Sequence, residues 1–146
     1  MKLLVAVDFS DPTDRILRVA RRLAASLDAS VLVVHAAEPE PDFVGYDAGP
    51  EVVRGQVAKE LHEDHQRLQK CTDQLREAGV NAKAIMVRGP TVASLLAMAE
   101  KQDVDLIVVG SHGRGMVAEM LLGSVSQGLI RAARWPVTVV PVGNQD

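Results

Sequence analysis

The sequence is poor in four things, and each absence excludes a class of protein. It has one cysteine, Cys71, so no internal disulfide can form and nothing indicates an oxidising compartment. It has four aromatic residues, Phe9, Phe43, Tyr46 and Trp135, too few for the platform on which single-strand binders stack bases. It has no basic excess: 16 Lys and Arg against 19 Asp and Glu give a net charge of −3. That is the wrong sign for a protein held to a phosphate backbone, so nucleic acid is not an expected partner. Nor does any apolar run approach the roughly 18 residues of a membrane span. Met1-Lys2 leads into only five apolar residues, Leu3 to Val7, fewer than the apolar core of a signal peptide requires. The expected setting is the cytoplasm, with no membrane partner.

What the chain does have is an ordinary globular composition, 47% apolar and 24% charged over 146 residues, the size of one domain. A single domain over residues 1–146 is expected. Four stretches are apolar almost without a break: Leu3–Val7, Val31–Ala37, Leu106–Gly110 and Val137–Val140. Strands covered by helices on both faces read this way. A fifth, Ala82–Arg88, carries Lys83 in its interior and suits a strand near an edge. Between them the apolar period becomes helical. Ile16, Ala20, Leu23 and Leu27 share one face with Arg15, Arg18 and Arg22 opposite, and Asp11-Pro12 supplies an N-cap and a first-turn proline. A long helix is expected from Val52 to Ala78, closed by Gly79, with Val57, Leu61, Leu68, Cys71 and Leu75 on one stripe. Two more cover Thr91–Lys101 and Ser124–Ala133. The order βαβαβαβαβ argues for a doubly wound α/β fold: a five-stranded parallel sheet with helices on both faces. The 14-residue stretch Ala37–Pro50, with three prolines, reads either as a lid over a ligand or as a variable surface loop.

In an open parallel sheet, ligands bind beyond the carboxyl ends of the strands. There the chain reads GSHGRGMVAEMLLGSVS, Gly110 to Ser126. Gly110, Gly113 and Gly115 let the backbone turn tightly and approach a ligand closely. Gly123-Ser124 opens the last helix, Ser124 and Gln127 have capping-box spacing, and a helix N-terminus suits a phosphate. Ser124 and Ser126 can add hydroxyl donors; His112 and Arg114 can add side-chain donors and charge. The same glycines read equally as turn punctuation and Ser124 as a plain cap. No P-loop lysine follows. Gly113, Gly115 and Ala118 fit G-x-G-x-x-A, but no acidic residue ends the next strand to hold a ribose, so an NAD enzyme is a poor fit.

Gly110-x2-Gly113-x9-Gly123-Ser124 is similar to the pattern of the ATP-binding branch of the universal stress protein family. The resemblance extends over nearly the whole chain, through KLLVAVDFSD, VLVVHA, DLIVVGSHGRG with LLGSVS, and RWPVTVVPV. It implies a Rossmann-like sheet of strand order 3-2-1-4-5. It also implies an adenine nucleotide, ATP or else AMP or ADP, with magnesium or manganese at the phosphates. Asp8 corresponds to the aspartate beside ribose and adenine, Ala6 and Val7 to the adenine wall, and Ala36 to the backbone contact with adenine. Ala36 stands where a larger valine is usual. Gly110, Gly113, Gly123 and Ser124 match the triphosphate-binding pattern; His112, Arg114, Gly115, Val125 and Ser126 lie within or beside it. A nucleotide-dependent regulatory role in stress response, acting on a partner protein, is implied.

Read without the family, Asp8 is either an acceptor for ribose hydroxyls or a loop-anchoring carboxylate. His35, inside an apolar strand, reads as a hydrogen-bonded core histidine. His62 and His65 sit at i and i+3 on a polar helix face without further ligands, which suits solvent rather than a metal. Cys71 reads as an unreactive core thiol. Ser10, Ser111 and Ser124 are candidate hydroxyls, but no base stands out for any of them, which favours a binding module over a slow ATPase or phosphotransferase. The intact glycines argue against an interaction protein that binds no nucleotide. The apolar last strand, flanked by prolines, is expected at a sheet edge, where pairing of Val137–Val142 with a second copy gives a two-fold dimer; the resemblance implies the same.

Overall fold

A computed structural model of the chain describes residues 1–9, 13–37, 50–112 and 122–141, with residues 50–53 described by their backbone alone. Strands and helices alternate: β1 (Lys2–Ala6), α1 (Thr13–Leu27), β2 (Ser30–Ala37), α2 (Pro50–Glu77), β3 (Ala82–Arg88), α3 (Thr91–Lys101), β4 (Leu106–Gly110), α4 (Ser124–Ala132) and β5 (Val137–Val140). Every strand pair is parallel and the order is β3-β2-β1-β4-β5. Lys83, as its charge suggested, lies on an edge strand, and β5 forms the other edge. The segments carrying Asp11-Pro12 and the stretch 38–49 fall outside the described residues.

Alternation along each strand divides the core in two. Leu3, Val5, Val31 and Val33 face α1 and α2, meeting Ile16, Leu17, Ala20, Leu68 and Leu75. Leu4, Leu32, Val34, Ile107 and Val109 face α3 and α4, meeting Leu95, Ala99 and Leu129. Helices therefore cover both faces, which is why the central strands carry no polar alternation. Leu3, Leu4 and Val5 are 0% exposed, and burying each such side chain stabilises the fold by about 1.5–3 kcal/mol. Cys71 lies in the first core, and burial, reinforced by the Asp14 carboxylate, pushes its thiol pKa up. Among the described buried side-chain polar atoms, Thr13 Oγ1 at the start of α1 has no partner.

The amino end of the sheet is closed by one device used three times. Asp28 (φ 50°), Gly79 (φ 87°) and Asp103 (φ 53°) take left-handed backbone just past α1, α2 and α3. The next residue then returns a long hydrogen bond: Ala29 N–H to Ala24 O (2.9 Å), Val80 N–H to Leu75 O (3.0 Å), Val104 N–H to Ala99 O (3.1 Å). Gly79 N–H to Arg76 O and Asp103 N–H to Glu100 O add the inner bond of a Schellman turn. Each turn ends on a buried residue that enters the core. Lys2 seals the centre, its amide on Asp105 Oδ2 (2.8 Å) and its Nζ on Gln102 O (2.6 Å).

Candidate functional site

At the opposite end the same strands stop short of a cavity of about 710 Å³, within the range that holds a small ligand. β1 and the turn after it contribute Ala6, Val7 and Asp8; β2 contributes Ala36; β4 and its exit contribute Gly110 and His112; the start of α4 contributes Gly123, Ser124, Val125 and Ser126. All ten of these expected site residues line one wall or another of this space. Gly113, Arg114 and Gly115 fall outside the described residues.

The two turns that flank the β4–α4 connection are joined to each other directly. Ser111 N–H donates to Val140 O (2.8 Å), extending the β4–β5 ladder by a residue, and Gly123 N–H donates to Ser111 O (2.6 Å). The Ser126 hydroxyl, 1% exposed, then bridges both turns, donating to Ser111 O (3.1 Å) and Gly123 O (3.0 Å). Ser126, expected to offer its hydroxyl to a ligand, lines the cavity with that proton turned to the backbone, so the side chain holds the two turns together. The amide of Gly123 is likewise committed, to Ser111.

The capping-box expectation is corrected. Gly123, not Ser124, is the N-cap of α4, and no side chain caps it. Gln127 turns its amide Nε2 to Leu122 O (2.9 Å) instead of reaching back to the cap. The first intrahelical bond runs from Gln127 N–H to Gly123 O (3.0 Å). The amides of Ser124, Val125 and Ser126 precede that bond and are the helix's orphan donors. These three N–H groups, at the positive end of the α4 dipole and on the cavity wall, suit an anion. Ser124 itself is exposed and lines the cavity.

The turn after β1 is strained. Phe9 has φ 62°, a conformation that costs a non-glycine residue roughly 1–2 kcal/mol. Its ring packs against that of His35 at a tilt of 38°, with centroids 4.3 Å apart. His35 Nδ1 donates to Val7 O (2.9 Å), and Nε2 lies 3.6 Å from Asp64 Oδ2 on α2. His35 is thus hydrogen-bonded, as its apolar strand suggested, and it also lines the cavity. Asp64, Glu60, Leu61 and Val57 bring α2 to the same wall, with Arg88 and Thr91 from the β3–α3 corner. Sequence reasoning missed these contributors. The stripe through Val57 and Leu61 carried a signal, because its amino-terminal part extends past the strands it packs against.

Ser111 Oγ and His112 Nδ1 lie 2.9 Å apart on the β4 side, a hydroxyl–imidazole contact that spacing alone did not reveal. His62 and His65 are exposed, and among the described residues no three His, Cys, Asp or Glu side chains gather to hold a metal ion. Among the same residues no helix is long and apolar enough to cross a membrane.

Residues 1–141 match the model of the universal stress protein family. The chain belongs to that family. The Thermus aquaticus "universal stress protein in QAH/OAS sulfhydrylase 3'region" is 33% identical over 140 residues, covering 94% of this chain and 96% of the relative. Among solved structures, that of MJ0577, a universal stress protein of Methanocaldococcus jannaschii, is similar with a TM-score of 0.82 at 27% identity. The match covers 99% of this chain and 97% of that one. A universal stress protein solved in complex with cAMP is similar with a TM-score of 0.72 at 25% identity, over 97% and 96% of the two chains. The universal stress protein fold therefore accounts for the strand order, and a relative of this shape holds an adenine nucleotide.

Proposed function

We propose that this universal stress protein binds ATP, or AMP or ADP in its place, in the cavity at the carboxyl end of the sheet. The orphan amides of Ser124, Val125 and Ser126 carry the reading: three donors at a helix N-terminus on the wall of a cavity sized for a mononucleotide. Asp8, across the same cavity, provides an acceptor for ribose hydroxyls, and Ala6, Val7 and Ala36 provide small apolar surface for a base. The relative in complex with cAMP supports the ligand class. The nucleotide, with magnesium or manganese at its phosphates, serves as a regulatory signal in the cytoplasmic stress response, read by a partner protein. The half-buried edge strand β5 and the half-exposed Ile130 of α4 support a homodimer built along Val137–Val142, of which Val142 lies outside the described residues.

The test is calorimetry with magnesium-ATP on the wild type and on Gly123→Val, which adds a branched side chain to a buried residue of the cavity lining. Wild type is expected to bind, and the variant to bind at least about tenfold more weakly, a loss of ~1.4 kcal/mol. Equal affinity, or no binding by the wild type, overturns the assignment.

The Ser111–His112 contact favours a second reading, slow ATP hydrolysis or phosphotransfer at the same site, since a hydroxyl beside an imidazole is the arrangement of an activated nucleophile. Multiple-turnover phosphate release lost in His112→Ala would establish it. Binding without turnover leaves the regulatory module alone.

A further inference from the structure

His35 touches three things at once: the Val7 carbonyl just past β1, the strained residue after Asp8, and a carboxylate of α2. Asp8 lies between the first two of these contacts in the chain. We infer that His35 is a positioning residue that fixes the Asp8 carboxylate toward the ribose, by tying Val7 O and holding its ring against that of Phe9. The inference rests on the nucleotide reading above and adds the residue that sets the geometry of its ribose contact.

The physical case is local. A carbonyl cannot donate, so Nδ1 carries the proton of the 2.9 Å bond to Val7 O. That bond fixes the peptide preceding Asp8. Phe9 at φ 62° keeps its left-handed backbone only where its surroundings hold it, and the His35 ring packs against its own. Two anchors, one before Asp8 and one after, fix the backbone from which that carboxylate is presented. Asp64, itself 3.7 Å from Arg67 Nη1, places α2 beside the far edge of the ring.

Two conservative variants separate the ties. In His35→Asn the amide nitrogen sits as many bonds from the backbone as Nδ1, so the bond to Val7 O survives. In His35→Gln it sits as far out as Nε2, so the reach toward Asp64 survives and the bond to Val7 O does not. The readout is the ratio of dissociation constants for 2′,3′-dideoxy-ATP and ATP, which isolates the ribose hydroxyls, with the AMP to ATP ratio as a control for the phosphates. Far-UV circular dichroism confirms folding. Wild type is expected to favour ATP by roughly 10-fold, the scale of a hydrogen bond to a charged group, and Asp8→Ala to favour neither. His35→Asn should keep most of the preference and His35→Gln should fall close to Asp8→Ala, with the AMP to ATP ratio unmoved throughout. A His35→Gln protein that keeps the wild-type preference overturns the inference, as does one in which both ratios shift together. A wild type that binds ATP without any ribose preference also overturns it. A wild type that binds no ATP overturns the nucleotide reading first, and this inference with it.

Discussion

The two ends of the one sheet are built by opposite rules. At the amino end, three helices stop on a left-handed residue and return directly into the core through bonds of 2.9–3.1 Å, from Ala29, Val80 and Val104. Lys2 and Asp105 seal the middle. At the carboxyl end no such closure occurs among the described residues, and the residues that open α4 line a cavity of about 710 Å³. The difference teaches where each kind of work is done. Satisfied backbone stabilises the fold at one end, and at the other the proposed function assigns the amides that open a helix to a ligand. The carboxyl end is still ordered, but by ties among its own turns: Ser126 to Ser111 and Gly123, and His35 to Val7.

Leu4→Ala should erase the distinction. Leu4 is 0% exposed on the central strand that supports both ends, so the change should cost about 2–5 kcal/mol in urea unfolding. Gly79→Ala should weaken the amino end alone. Nothing lies within 4 Å of the added Cβ, so the loss is backbone strain at φ 87°, roughly 1–2 kcal/mol, with ATP affinity unchanged. Ser126→Ala should sharpen the contrast from the other side. It removes a donor shared by two buried carbonyls, costing about 1 kcal/mol of stability, yet it should weaken ATP several-fold by loosening the turns. Equal effects of these two variants on binding would dissolve the comparison.

The smallest effect concerns Cys71, whose thiol pKa burial raises in the folded state. A raised folded value means that the stability is complete below the unfolded pKa, about 8.5. It is then lost as pH climbs from there through the folded pKa. Wild-type stability should therefore fall above roughly pH 8.5 more steeply than that of Cys71→Ala. Native protein should leave a thiol reagent unreacted. Parallel pH profiles for the two proteins would contradict this.

The strands were legible because burial on both faces leaves a plain apolar word, as in LLVAV and LIVVG, and Lys83 marked an edge. Gly79 was legible as a helix stop because glycine advertises positive φ. Asp28 and Asp103 were not, since an aspartate in a left-handed cap looks like any loop carboxylate. The glycine spacing and Asp8 pointed to the cavity's β1, β2 and β4 walls. The α2 wall did not show, because Asp64 meets His35 only once the chain has passed through the segment 38–49 and about four turns of helix. The hydrogen bonds of Ser126 were not legible for a physical reason: a hydroxyl beside a helix start can donate to a ligand or to the backbone, and the position of Ser111 O shows only in the fold.

The most direct test is an amide NMR titration of the full chain with magnesium-ATP. The account predicts the largest shifts at the amides of Ser124, Val125 and Ser126, a second group at Val7 to Phe9, and none at Ala29, Val80 and Val104. Saturating nucleotide that leaves the start of α4 unmoved, or that moves the amino-end turns instead, would contradict it.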